Sequence, residues 1–208
     1  SFDEYNVWYQ NKQSPAGWIK KPHILEDIYS HKDALVFAGM LNTLLNNCDR
    51  VEIACLAQLV NVIAPIFTAE NGIAYRQTIF FPFKLASQYK GAKALRTIIS
   101  APTFLSRIGH VNEISQSIVY DEIKRDIAVF LVNYADEENI AEVELRSFGK
   151  LNVISHKVLI SDDLEKRNTL SEPEAIKLIE VKKLPLNNDG ILCITLPKYS
   201  YNAVIIKY

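Results

Sequence analysis

The chain has 208 residues, 49% hydrophobic and 23% charged, a composition that excludes disordered and fibrous classes. Lysine and arginine total 23 against 24 aspartates and glutamates, and a formal net charge of −1 supplies no footprint for nucleic acid or an anionic membrane. No run of about 18 apolar residues is present, so no membrane-spanning helix is expected.

The opening residues, SFDEYNVWYQ, predict a core strand over residues 1–9, and a chain that opens on such a strand at Ser1 reads as a piece of something longer. Residues 11–22 form a loop with Ser14-Pro15, Gly17 and Pro22. Ser30-His31-Lys32-Asp33 then fits a capping box. Val36, Phe37, Met40, Leu41, Leu44 and Leu45 follow at helical spacing, and Asn46-Asn47 ends that helix. Residues 51–57, VEIACLA, are a near-continuous apolar run, as expected of a parallel strand buried on both faces. A loop over 59–74 precedes a second helix over 79–89, with Pro82 tolerated only near its first turn. This rhythm of strand, helix, strand and helix predicts α/β units.

Past Gly91 the character changes. Of 21 aromatic residues, 13 lie in the first 90, including Trp8 and Trp18; next to strand ends, aromatics serve sugar surfaces as well as cores. Short runs rich in Val, Ile and Tyr follow at 95–99, 114–120, 126–134, 141–146, 152–160, 175–181, 191–196 and 203–207. Together they predict an antiparallel β-sandwich. The expected organisation is therefore an α/β part over residues 1–91 and an all-β part over 92–208. Cys48, Cys55 and Cys193 are odd in number and lack zinc spacing, so they are expected to be buried and reduced.

The stretch Phe2-Asp3-Glu4-Tyr5-Asn6-Val7-Trp8 is the richest in chemistry. Strict alternation would send Asp3 and Glu4 to opposite faces. A carboxylate near the C-terminal end of a barrel strand sits where such barrels place catalysis, whereas a plain strand end would turn it to solvent. Taken alone the pattern favours the solvent-facing strand end; apolar and aromatic neighbours weaken that reading, because an ionised carboxylate among rings needs partners or a function. Gln58, directly after the second apolar strand, would lie at the same rim, or simply satisfy local backbone groups. Glu26, Asp27 and Asp33 flank a helix start, where negative charge is favourable anyway. Glu52 and Glu70 lie away from the rim. His23, His31, His110 and His156 are scattered without ligand spacing.

These residues carry a resemblance. SFDEYNVWY, LEDIYS, the Asp33-Ala34-Leu35 triplet, DRVEIACLAQLVNVIAPI and YRQTIFFPF, with VNYADEEN and VLISDDLEKRNT downstream, resemble the C-terminal part of the α-L-arabinofuranosidases of glycoside hydrolase family fifty-one. The resemblance covers nearly the whole chain. It implies the last two β/α units of a (β/α)8 TIM barrel over 1–91 and a jelly-roll-like β-sandwich over 92–208. It further implies a retaining hydrolase of terminal L-arabinofuranosyl groups in arabinan, arabinoxylan and their oligosaccharides. No cofactor or metal, a cytoplasmic location and a homo-oligomer, often a hexamer, go with it. Glu4 matches the family's nucleophile and Gln58 a residue that hydrogen-bonds the bound arabinose, while Trp8 and Trp18 lie in the loop shaping the active-site rim. Tyr5 replaces the tryptophan usual in FDEWNVW and keeps a ring there. The family's acid/base residue lies on the fourth barrel strand, outside this chain, so the chain by itself is expected to be inactive. Two other readings stay open: a non-catalytic sandwich module for packing, oligomerisation or carbohydrate contact, and a related xylosidase or endoglucanase. The open edge of a two-strand barrel segment also predicts aggregation, pairing with another chain or with a separate N-terminal fragment, and so an oligomer or a non-native arrangement of residues 1–90.

Overall fold

A computed structural model describes residues 1–9, 20, 26–182 and 189–208. The centre of the fold is an antiparallel six-stranded sheet in the order β12-β11-β14-β9-β8-β5, faced by an antiparallel pair, β10 and β13. The sheet comprises β5 (Lys93–Ala94), β8 (Ile114–Asp121), β9 (Asp126–Asn133), β11 (Asn152–Ile160), β12 (Ile179–Glu180) and β14 (Ser200–Lys207); β10 (Asn139–Glu144) and β13 (Ile191–Leu196) form the facing pair. Before the sheet come β1 (Phe2–Tyr5), α1 (His31–Asn46), β2 (Ala54–Leu56), the hairpin β3 (Ile66–Thr68) and β4 (Ala74–Arg76), and α2 (Phe80–Ser87). A hairpin of β6 (Thr103–Ser106) and β7 (Gly109–Asn112) follows β5.

Every residue of β9 is buried, because both faces of the sheet are covered. Ile127, Val129 and Leu131 meet Leu192, Ile194 and Leu196 of β13 in one core. Ala128, Phe130 and Val132 project the other way, onto Ala34, Leu35 and Ala38 of α1 and Phe81 and Leu85 of α2. Helix α1 is buried a second time on its far side, where Phe37 and Leu41 pack with Tyr5, Ala57, Ile63 and Ile79. Phe37 stacks on Tyr5 with centroids 5.8 Å apart.

The start of α1 is held in three ways. Ser30 Oγ accepts from the Asp33 amide at 3.4 Å, and the Asp33 carboxylate accepts from the Ser30 amide at 2.7 Å, the capping box that the sequence predicts. The unsatisfied first-turn amides of His31 and Lys32 donate to the carbonyls of Lys166 and Leu164 at 2.8 and 2.9 Å, tying the helix to a loop beyond β11. His31 Nε2 also lies 2.6 Å from the Tyr199 carbonyl at the start of β14. Pro82 sits in the first turn of α2, as its missing amide requires.

Several expectations are corrected. The strand predicted over residues 1–9 is confined to Phe2–Tyr5, and that over 51–57 to Ala54–Leu56, with Ala54 and Cys55 exposed rather than buried on both faces. The loop predicted over 59–74 contains β3 and the first residue of β4, which pair as a hairpin, and Asn61 Oδ1 accepts from the Thr68 amide at 2.7 Å. Residues 95–99 form no strand: pairing with β8 stops after Lys93–Ala94 and the Leu95 amide. Only Ile179–Glu180 of the run 175–181 pairs with β11. The sequence pattern does not announce the β6–β7 hairpin, since exposed Phe104 and Leu105 break any alternation toward a core. All three cysteines are exposed, against the expectation of burial. Cys193 alternates outward on β13, Cys55 lies on the uncovered face of β2, and Cys48 follows the end of α1.

Two predictions follow from this packing. Gly39 is buried on α1, and a Cβ there would stand 1.9 Å from the Tyr134 hydroxyl. Gly39→Ala should therefore destabilise the chain by about 1–3 kcal/mol by overpacking, despite a helix propensity favouring Ala by about 1 kcal/mol. Adding Tyr134→Phe should recover most of the loss in urea unfolding; no recovery would contradict the contact. Burial lowers the pKa of both His31 and His156, against the opposing pull of their hydrogen bonds to Tyr199 and Asn202. With folded pKa values below the unfolded value of about 6.5, the unfolded chain binds the extra protons, and stability is lost as pH falls through that value. The urea midpoint should drop between pH 7.5 and 5, and His31→Gln with His156→Gln should flatten that slope.

Candidate functional site

The site is built where β1 and β2 end side by side. The two strands are parallel, with Phe2 opposite Ala54 and Tyr5 opposite Leu56. Two residues, Asp3 and Glu4, therefore stand against Cys55 alone, a bulge that interrupts the strict alternation expected from the sequence. Past the bulge Tyr5 turns inward beneath α1, only 4% exposed, and burial raises its phenol to about 12. Asp3 and Glu4 are both exposed. The Ala57 amide donates to the Tyr5 carbonyl at 3.1 Å, so the contact of the two segments continues past Leu56 and Gln58 follows directly after it. Glu4 and Gln58 thus lie toward the same end of the parallel pair, the C-terminal one. Among the described residues neither side chain has a hydrogen-bond partner.

The backbone after β2 is unusual. Gln58, Asn61 and Val62 have φ of 62, 61 and 62°, the left-handed region that costs a β-branched residue most. The strain is held by bonds to the neighbouring loops. Val62 O accepts from the Asp27 amide at 2.9 Å, and the Ile63 carbonyl accepts from Asn6 Nδ2 and from the Tyr29 hydroxyl, the latter at 3.2 Å. Gln77 Nε2 donates to the Ala64 and Asp27 carbonyls at 2.9 and 3.0 Å, and its Oε1 accepts from the Tyr29 amide at 2.8 Å.

Trp8 follows β1 and is 47% exposed beside this rim, whereas Trp18 and His23 lie outside the described residues. The Tyr9 hydroxyl donates to Asp33, which ties the segment after β1 to the start of α1 and, with burial, raises the Tyr9 pKa. Glu52 is exposed at the far end of β2, and Glu70 opens a short turn between β3 and β4. Among the described residues no group of three or more His, Cys, Asp or Glu could hold a metal. A groove of about 1160 Å³ runs behind the rim, lined by Phe2, Tyr5, Met40, Leu44 and Phe104, and does not include Glu4 or Gln58. Sequence reasoning missed Asn6, Tyr29 and Gln77. The available signal was positional: Tyr29 and Gln77 are polar-headed residues just before the two helices.

Residues 3–200 match the family described as "Alpha-L-arabinofuranosidase C-terminal domain". An intracellular exo-α-(1→5)-L-arabinofuranosidase of Streptomyces lividans is 40% identical over 98% of this chain and 31% of its own length. An exo-α-(1→6)-L-arabinofuranosidase of Bifidobacterium longum is 40% identical over 100% of this chain and 41% of its own. A solved family 51 α-L-arabinofuranosidase from Bifidobacterium longum superposes with a TM-score of 0.85 at 36% identity, covering 100% of this chain and 41% of that one. The fold is thus that of the C-terminal region of a glycoside hydrolase. The chain belongs to the α-L-arabinofuranosidase C-terminal domain family. It spans well under half the length of these relatives.

The exposed thiols give a direct check on this geometry. Titration of the native chain with an aromatic disulfide reagent should modify all three cysteines without denaturant. Protection of Cys55 would show that the face of β2 beside Glu4 is covered.

Proposed function

We propose that this chain is the C-terminal part of a retaining α-L-arabinofuranosidase, in which Glu4 is the nucleophile and Gln58 holds the sugar. The parallel register of β1 and β2, which ends both strands at one rim, carries this reading. In it, residues 1–91 are the last two β/α units of a (β/α)8 barrel and 92–208 are the sandwich. Rims of this kind collect catalytic groups from the C-terminal ends of several strands.

The Glu4 carboxylate attacks the anomeric carbon while a carboxylic acid from the preceding barrel strands protonates the departing oxygen. The glycosyl–Glu4 ester is then hydrolysed by water, which that second residue activates as a base. Retention requires the two carboxyl groups about 5–5.5 Å apart. Exposure of Glu4 leaves room for such a partner. Trp8, and by resemblance Trp18, would wall the sugar with flat apolar surface. The relatives' names as exo-acting L-arabinofuranosidases support terminal arabinofuranosyl groups as the substrate, and that of the Streptomyces lividans enzyme supports an intracellular location; arabinan, arabinoxylan and their oligosaccharides rest on the resemblance. A homo-oligomer rests on the resemblance alone. The competing reading as a self-sufficient sandwich module is less favoured. Ala34, Leu35, Phe81 and Leu85 from the first part share a core with Phe130 and Tyr201 of the sheet.

The intact enzyme should hydrolyse 4-nitrophenyl α-L-arabinofuranoside, and Glu4→Gln should lower kcat by about a thousandfold, about 4 kcal/mol of barrier, with an unchanged circular dichroism spectrum. Azide should rescue Glu4→Ala as the inverted glycosyl azide. The 208-residue chain by itself should show no turnover. Turnover by the chain alone, or an active Glu4→Gln enzyme, would sink the assignment.

A further inference from the structure

The strained turn after β2 is an observation that the assignment of Glu4 and Gln58 leaves without a purpose. Three left-handed residues within five positions, one of them Val62, persist only where the surroundings over-determine them. What determines them here is a pair of fully buried or nearly buried side chains from two other segments. Asn6, 5% exposed, leaves β1 two residues after Glu4, donates through Nδ2 to the Ile63 carbonyl and accepts from the Val7 amide at 2.8 Å through Oδ1. Tyr29, with no exposed surface, places its hydroxyl 3.1 Å from the Val7 carbonyl and 3.2 Å from the Ile63 carbonyl. The strand that presents Glu4 and the turn that presents Gln58 therefore meet on one carbonyl, with both bonds shielded from water.

We propose that Asn6 and Tyr29 are positioning residues: by closing on the Ile63 carbonyl they hold residues 58–63 at a fixed height over the end of β1 and so set how tightly Gln58 holds the sugar. This rests on the reading of Glu4 and Gln58 given above. Neither residue faces the rim, so neither touches substrate; both act through the turn. Gln77 supports the arrangement from behind by fixing Tyr29 N and Ala64 O. Glu4 itself is carried by the pairing of β1 with β2, which the clamp does not supply. Loss of the clamp should accordingly weaken binding and spare the chemical step.

The test uses the intact enzyme that carries this chain. Tyr29→Phe, which removes one hydroxyl and keeps the ring, should raise KM about fivefold with kcat within about twofold, the pattern of lost uniform binding. Asn6→Ala should do the same. In a Gln58→Ala background Tyr29→Phe should raise KM no further, because residues acting through one another are not additive. A general loss of stability would not produce that dependence on Gln58. Hydrogen exchange at the Asp27 and Asn61 amides, which bond to Val62 O and Ile66 O across this turn, should quicken in Tyr29→Phe. An unchanged KM, or an equal rise in both backgrounds, overturns the proposal. Unchanged exchange at both amides overturns the clamp itself, independently of any substrate. An intact enzyme inert toward arabinofuranosides with quickened exchange overturns instead the reading of Glu4 and Gln58, and with it the clamp's role in holding sugar.

Discussion

The two-sided burial of α1 is the constraint on which the rest of this structure depends. Ala34, Leu35 and Ala38 face the six-stranded sheet, while Phe37 and Leu41 face Tyr5 and Ala57 behind the rim. A helix apolar on two sides has no free choice of rotation, and its first-turn amides are bonded to a loop that leaves β11. Gly39 allows the close approach to Tyr134 that this rotation demands. The sandwich therefore fixes the height of α1, and α1 fixes Tyr5 through the stacked Phe37 ring. Glu4 takes its place one residue before that anchor. Residues far from the rim, such as Leu164 and Lys166, are linked to it through this chain of contacts.

The rim itself is held by strain and its offsets. Each left-handed residue after β2 costs about 1–3 kcal/mol, and a bulge adds local twist to β1. Against this stand bonds made by buried polar groups: Asn6, Tyr29 and Gln77 all have at least two partners, and water cannot compete for them. The same burial that strengthens those bonds keeps the Tyr29 phenol protonated, with Asp27 and Asp33 adding to the effect. Its hydroxyl is thus a permanent donor over the range in which such a rim would work.

What was legible in the sequence follows from which signals are local. Ser30 and Asp33 announce the start of α1 because a capping box is complete within four residues. The runs 152–160 and 191–196 are read to the residue because turns bound them on both sides. The hairpins at 66–76 and 103–112 escaped because strands of three or four residues carry too little periodicity, and exposed Leu105 and Ile108 follow no core. The bulge between Phe2 and Tyr5 was invisible for another reason: register is a property of the pair, and Ala54 and Leu56 lie about fifty residues downstream. Burial of the cysteines was misjudged on the same ground, since an apolar run such as VEIACLA shows only that a face can be covered. It does not show what covers it.

The candidate site divides along the same line. Glu4 and Gln58, the proposed sugar-contacting groups, were accessible from the sequence because each closes a short, distinctive string at a strand end. Asn6, Tyr29 and Gln77 were not, because each is ordinary in its own string and acquires meaning only where three segments converge on Ile63 and Ala64. A motif names the atoms that react, whereas the distances between them are kept by residues whose sequence context says nothing about reaction. In a retaining mechanism that division is severe, since a second carboxyl must arrive within about 5–5.5 Å from a different strand. On the proposed reading the water-shielded bonds at the Ile63 carbonyl fix the turn that carries Gln58, whereas Glu4 is held by the pairing of β1 with β2, and the second carboxyl must come from another strand.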